Sequence, residues 1–146
     1  MSEGLPFARS FRDLRVYQKQ RELARCIFQE TRRFPAEEKF ALTDQVRRAS
    51  RAIGAQIAEA WAKREYERHF VSKLTDADSE QQETQHWIET ATDCGYFSKE
   101  TAAQLLKLCD EIGRMLQSMK DHSEDFCSST RIRETPCLDF FIATDY

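Results

Sequence analysis

The stretch Leu42-Thr43-Asp44-Gln45-Val46-Arg47-Arg48-Ala49, followed further on by Ile57-Ala58-Glu59-Ala60, decides the fold of this chain. Apolar or small residues recur at Leu42, Val46, Ala49, Ile53 and Ala60, with Gln56 the one polar member. Steps of four and three residues place them on one stripe of an α-helix, the seam by which a helix packs lengthwise against others. Gln45 and Glu59 lie near or on that buried side, where a polar group needs a partner. Arg47 and Arg48 sit in the middle of the stretch.

Outward from this helix, the punctuation is sparse. Four Gly and three Pro in 146 residues leave room for few, long elements and argue for helices over a sandwich or barrel. A first helix is predicted from about Asp13, which can cap it, to Arg33. One stripe on it reads Val16, Leu23, Ile27, and the adjacent one Tyr17, Ala24, Phe28. Phe34-Pro35 breaks this helix, and Pro35 then opens the second, which runs to about Lys63. Gly54 inside the second helix predicts close backbone approach to a neighbouring helix. The third helix covers about Glu65 to Cys94, with Phe70, Leu74, Ala77, Thr84, Ile88 and Ala91 inward and Trp87 beside them. Gly95 stops it. Ser98 caps a fourth helix reaching about Asp121, with Leu105, Leu108, Ile112, Met115 and Met119 inward. The predicted fold is an all-α, up-down-up-down antiparallel four-helix bundle over 11–121. A loose lead-in covers 1–10. A polar tail covers 122–146 and carries one apolar patch, Leu138, Phe140, Phe141 and Ile142, read either as a flexible end or as a docking segment.

Charge divides the chain in two. Residues 1–73 hold 16 Lys and Arg against 10 Asp and Glu, and residues 74–146 hold 6 against 15. A basic half and an acidic half suit head-to-tail assembly, or phosphate on one side only, as well as plain solvated helix faces. The overall charge of -3 disfavours nucleic acid, since phosphate neutralisation supplies much of that affinity. Five cysteines, none in a CxxC pair, and no signal-peptide pattern point to a reducing cytoplasm. Cys26, Cys94 and Cys109 read as small core residues, and Cys127 and Cys137 as exposed ones. No apolar run is long enough to cross a membrane.

Few constellations carry chemistry. Glu83 and His86 form one E-x-x-H pair, whereas a di-metal bundle needs two such pairs and two further Glu; no metal or other cofactor is expected. Glu59 and Glu83 can be imagined as an acid–base pair, but no nucleophile or phosphate loop accompanies them. The alternative is a structural polar network of Gln45, Glu59, Ser79 and Glu83, and no catalytic residue is assigned. Arg47, Arg48, Arg51, Lys63, Arg64 and Arg68 are the candidate nucleic-acid contacts, with Trp61 and Tyr66 near the last three for base stacking. Pairing of these cations with acidic residues of an adjacent subunit is the competing reading.

Phe11-Arg12-Asp13-Leu14-Arg15-Val16-Tyr17-Gln18, Phe34-Pro35, Leu42 with Gln45-Val46-Arg47-Arg48-Ala49, Ile57-Ala58-Glu59, then Phe70, Leu74, Ala77, Ser79, Glu83 and Gly95-Tyr96-Phe97 resemble, in order and spacing, a known family. It is the bacterial four-helix bundle family encoded in intervening sequences of 23S rRNA genes, related to the Avd accessory protein of diversity-generating retroelements. The usual Asn-Ile-Ala-Glu-Gly of that family stands here as Gln56-Ile57-Ala58-Glu59-Ala60. The resemblance implies a small non-enzymatic homopentamer that acts as a nucleic-acid or ribonucleoprotein accessory, associated with rRNA or, as in the Avd branch, with a reverse transcriptase. The alternative is a protein-binding scaffold with no nucleic-acid role. The resemblance covers about residues 11–121 and leaves the tail without a counterpart.

Overall fold

The computed structural model describes residues 7–127 and 135–136. Four long helices dominate: α1 (Arg15–Thr31), α2 (Asp44–Ala62), α3 (Glu67–Asp93) and α4 (Lys99–Asp121). A short α5 (Ser123–Phe126) follows, and a two-residue antiparallel ladder joins β1 (Phe7–Ala8) to β2 (Thr135–Pro136). Helix α1 packs on α2 and α4, and α3 packs on the same two, so the four surround one core. Of the seam read from α2, Leu42, Val46, Ala49, Ile53 and Ala60 are buried, whereas Gln56 is half-buried and Ile57 beside it takes the core position. On α3 the six expected inward residues are buried as well, joined by Gln81. On α4, Cys109 and Leu116 join the buried face, whereas Leu108 is half-buried.

The ends are set by local chemistry. Asp13 does not cap α1. Ser10 instead caps a single 3-10 turn, Phe11–Asp13, with Asp13 as the reciprocal member of the capping box, and α1 starts after Leu14. Pro35 precedes a 3-10 turn (Ala36–Glu38) and a π-helical turn (Lys39–Thr43), so regular α-helix begins only at Asp44. The change of pitch brings Leu42 and Thr43 inward ahead of the α2 seam. Gly95 has φ +79°, Tyr96 N–H reaches Ala91 O at 2.9 Å and Gly95 N–H reaches Thr92 O at 3.0 Å, closing α3 in a Schellman motif. Ser98 caps α4 through Thr101 N–H at 3.1 Å. The α1–α2 and α3–α4 connections meet, with Phe34 ring centroids 5.3 Å from Tyr96 and 5.0 Å from Phe97.

Two expectations about the chain ends change. Ala8 is buried in the core, inside the expected lead-in. Beyond Asp121, Phe126 is fully buried and stacks on Phe70 with centroids 5.2 Å apart, while Ser123 Oγ donates to Glu67 Oε1 at 2.6 Å. The packed unit therefore continues through α5 onto the start of α3. Leu138, Phe140, Phe141, Ile142 and Cys137 lie outside the described residues.

The cysteines divide by position rather than by helical membership. Cys109 is buried, and burial first, then Asp110, pushes its thiol up to about 12. Cys94 is exposed, because it is the C-cap of α3 and not a core residue. Cys127 is half-buried rather than exposed, and burial followed by Glu67 raises its thiol to about 11.

What meets Gly54 is not the backbone of a neighbouring helix but the side-chain amide of Gln20 on α1. A Cβ at Gly54 would lie 2.4 Å from Gln20 Oε1, and Gln20 Nε2 donates to Ser50 O at 2.9 Å. Gln20 is only 3% exposed, so its amide cannot simply swing into water. Gly54→Ala should lower stability by about 0.5–2 kcal/mol: the buried hydrogen bond costs more to lose than the helix propensity of alanine returns. In a Gln20→Ala background the clash is gone, and the same change should become stabilising by up to ~1 kcal/mol. Chemical denaturation of the four proteins checks this; the same sign in both backgrounds would refute it.

Candidate functional site

The adjacent stripe on α1, Tyr17, Ala24 and Phe28, does not enter the core. It lines an open groove of about 530 Å³ between α1 and α2, with Gln20, Arg21, Arg25 and Arg51 among the other walls. The cause is helical geometry. Val16, Gln20, Leu23, Ile27 and Thr31 are the buried stripe, and residues one place further along turn to the α2 edge. Phe11 closes one end of the groove and stacks edge-on against Tyr17, centroids 4.9 Å apart.

Phe28 is the centre of the charged part. It is 39% exposed, and guanidinium carbons stand 4.7 Å (Arg47), 5.8 Å (Arg51) and 5.9 Å (Arg32) from its ring centroid. Arg47 is half-buried and its Nε donates to Thr31 Oγ1 at 2.8 Å, which fixes it across the α1–α2 seam. Arg48 is exposed and close enough to Glu80 of α3 to pull its carboxyl down. Burial first, then Glu83, outweighs that pull and holds the Glu80 pKa above its ordinary value. Phe40, 74% exposed, borders a second shallow depression shared by Asp44, Gln45, Arg48, Arg51 and Ala52.

The six candidate cations do not form one site. Arg51 lines the groove and Arg47 reaches Phe28 at its edge, while Arg48 borders the second depression on the side of Glu80. Lys63 stands at the far end of α2, sixteen residues and therefore ~24 Å from Arg47 along the helix. Lys63 and Arg68 are exposed. Arg64 is only 8% exposed: its Nε donates to Trp61 O at 2.9 Å and its guanidinium lies 3.4 Å over the Trp61 ring. That pairing satisfies Arg64 locally and closes the Trp61 face to a base, so neither serves as expected. Tyr66 stays open at 58% exposure, next to His69.

The expected polar network is also rearranged. Glu59, Ser79 and Glu83 are exposed and Gln45 is half-buried. Glu59 pairs with Lys73 at 3.3 Å, and Glu83 lies beside Glu80. Exposed side chains satisfy themselves in water and need no buried network. The polar groups that do cross a buried helix contact are Gln20 with Ser50 and Thr31 with Arg47, while Gln81 hydrogen-bonds to Asp78 and Gln85 along α3. Glu59 and Glu83 are not brought together: Lys73, the partner of Glu59, is ten residues and ~15 Å along α3 from Glu83. His86 packs edge-on against Trp87, and among the described residues no three His, Cys, Asp or Glu converge as a metal would require.

The sequence reading passed over Arg21, Arg25 and Arg32 and took Phe28 only as part of a stripe. The signal was present in the steps Arg21, Arg25, Phe28 and Arg32, which are four, three and four residues and define one helix face. No helix among the described residues is long and apolar enough to cross a membrane.

Among curated proteins none matches the chain. A solved protein from Bacteroides thetaiotaomicron, described as of unknown function and from the S23 ribosomal protein family, is similar: 27% identical, TM-score 0.66, over 73% of this chain and 95% of its own. The model of the 23S rRNA-intervening sequence protein family matches residues 12–118, which span all of α1–α3 and most of α4. By that match the chain belongs to the 23S rRNA-intervening sequence protein family.

Proposed function

We propose that this protein is a non-enzymatic, cytoplasmic accessory factor of nucleic acid or of a ribonucleoprotein, and that it meets phosphate through the outer face of α1 and α2. The observation that carries the reading is Phe28 exposed among Arg32, Arg47 and Arg51, with Arg21 and Arg25 continuing the charge along the groove. Guanidinium groups supply the phosphate contacts, and an aromatic between them offers a platform for an unpaired base. The four helices are read as up-down-up-down. The meeting of Phe34 with Tyr96 and Phe97 supports this, because it puts the α1–α2 and α3–α4 turns at one end. The protein assembles as a homopentamer on this reading, and the likeness to the Avd accessory protein makes rRNA or a reverse transcriptase the partner of choice. Charge supports a ring: α1 and α2 are basic while α3 carries seven Asp and Glu against two Lys and Arg, so unlike faces of successive subunits attract.

Filter binding with a structured RNA at low and at physiological salt tests the function. Binding should be measurable at low salt and fall on a log–log slope of about -0.7 per phosphate contact. With four contacts, affinity drops roughly fiftyfold between 50 and 200 mM salt. No binding at either salt would remove the nucleic-acid role and leave the protein-binding scaffold as the function.

A further inference from the structure

The groove between α1 and α2 has an occupant within this chain. We infer that residues 137–146 dock in it, in cis, with Leu138, Phe140, Phe141 and Ile142 against its aromatic floor. Four observations on different parts of the molecule converge. First, the groove is lined by twelve residues, none of them acidic, and three are arginines: Arg21, Arg25 and Arg51. Segment 137–146 contains Asp139 and Asp145 and no Lys or Arg, so charge and apolar character are both complementary. Second, Gln20 in the groove wall is 3% exposed, and its Oε1 has no hydrogen-bond partner among the described residues. Its Nε2 is already committed to Ser50 O, which fixes the amide with its acceptor unused. Third, the β1–β2 ladder pairs Pro136 with Phe7, four residues before Phe11 at the groove end, so the segment starts at that end of its own chain. Fourth, reach suffices: ten extended residues span up to ~33 Å, against ~17 Å from Tyr17 to Phe28.

The family match ends at residue 118, so the segment is an addition to the shared bundle. Docking does not depend on the nucleic-acid reading. Its consequence does: an acidic segment in the groove and RNA beside Phe28 would exclude one another.

The test places a photo-crosslinking benzoylphenylalanine at Phe141 or, separately, at Phe140 in the full chain, and maps adducts by mass spectrometry. Circular dichroism checks that each protein folds. The expected adducts fall within residues 17–28 and 51–58, at the mass of one chain. Their yield should drop several-fold when Arg25→Glu and Arg51→Glu are combined, and hold when Arg68→Glu is made instead. Adducts confined to other helices, adducts found only between two chains, or no adducts from either position would overturn the proposal. RNA affinity measured on the same proteins is a separate readout, so either idea can fail without the other.

Discussion

Phe70→Ala should cost about 3–5 kcal/mol, the largest single-residue loss in this molecule. Phe70 is fully buried in the first turn of α3, and its ring stacks at 28° on Phe126, also fully buried. Truncation removes the transfer energy of the ring, leaves a cavity, and abolishes an aromatic pair that adds roughly 0.5–1.5 kcal/mol beyond area. A domain of this size holds ~5–15 kcal/mol in total, so the midpoint of thermal unfolding should fall by roughly 10–20 °C. Phe126→Ala should cost nearly as much, and the double variant less than the sum, because the two changes remove one shared contact. The exposed neighbour sets the scale: Tyr66→Ala should stay within about 0.5 kcal/mol. Calorimetry on the four variants decides the matter. A near-neutral Phe126→Ala would mean that α5 is not part of the folding unit and that the unit ends near Asp121.

The core was legible because it is periodic. Val46, Ile53, Phe70, Leu74 and Ile88 follow helical spacing, and the hydrophobic effect has no cheaper arrangement for them than one shared interior. Gly95 and Ser98 were legible because each does something few residues can do, a positive φ and a short side-chain acceptor. What escaped depended on pitch and on partners. The 3-10 and π turns before Asp44 carry no distinctive residues, so the second helix read as uniform from Pro35. Glu59 read as near-buried because it follows Ile57 and Ala58, but one residue is 100° on a helix, and it faces Lys73 at the surface instead. Gln20 and Thr31 interrupt the apolar stripe of α1, yet they are the residues that join α1 to α2. A buried polar residue shows its purpose only when its partner on another element is known. For the same reason six cations close in sequence looked like one site. The structure separates three on the outer face of the first half of α2 from two at its far end and the start of α3, and buries the sixth under its own tryptophan contact.

That separation predicts how RNA affinity responds to each group of charges. Arg25→Glu, Arg48→Glu and Arg51→Glu together should weaken binding to structured RNA by roughly a hundredfold at ~0.1 M salt. Each lost phosphate contact forfeits about fivefold at that ionic strength, from a slope of ~0.7 per contact, before any repulsion from the new carboxylates. The salt slope itself should flatten by about 2. All three side chains are exposed, so the fold should survive, and Arg47 is left in place because its bond to Thr31 joins two helices. Lys63→Ala with Arg68→Ala should change affinity by less than about threefold, since Lys63 stands ~18 Å along α2 from Arg51 and ~24 Å from Arg47, away from the arginines around Phe28. Arg64→Ala should lower stability through the lost packing on Trp61, with affinity per folded molecule unchanged. Phe28→Ala separates the two roles proposed for the groove: it should weaken single-stranded RNA by about 1–3 kcal/mol and duplex RNA far less, because only an unpaired base can use the ring. Equal losses from the groove set and from the Lys63–Arg68 pair would show that the cations act as a diffuse field and that Phe28 marks no site.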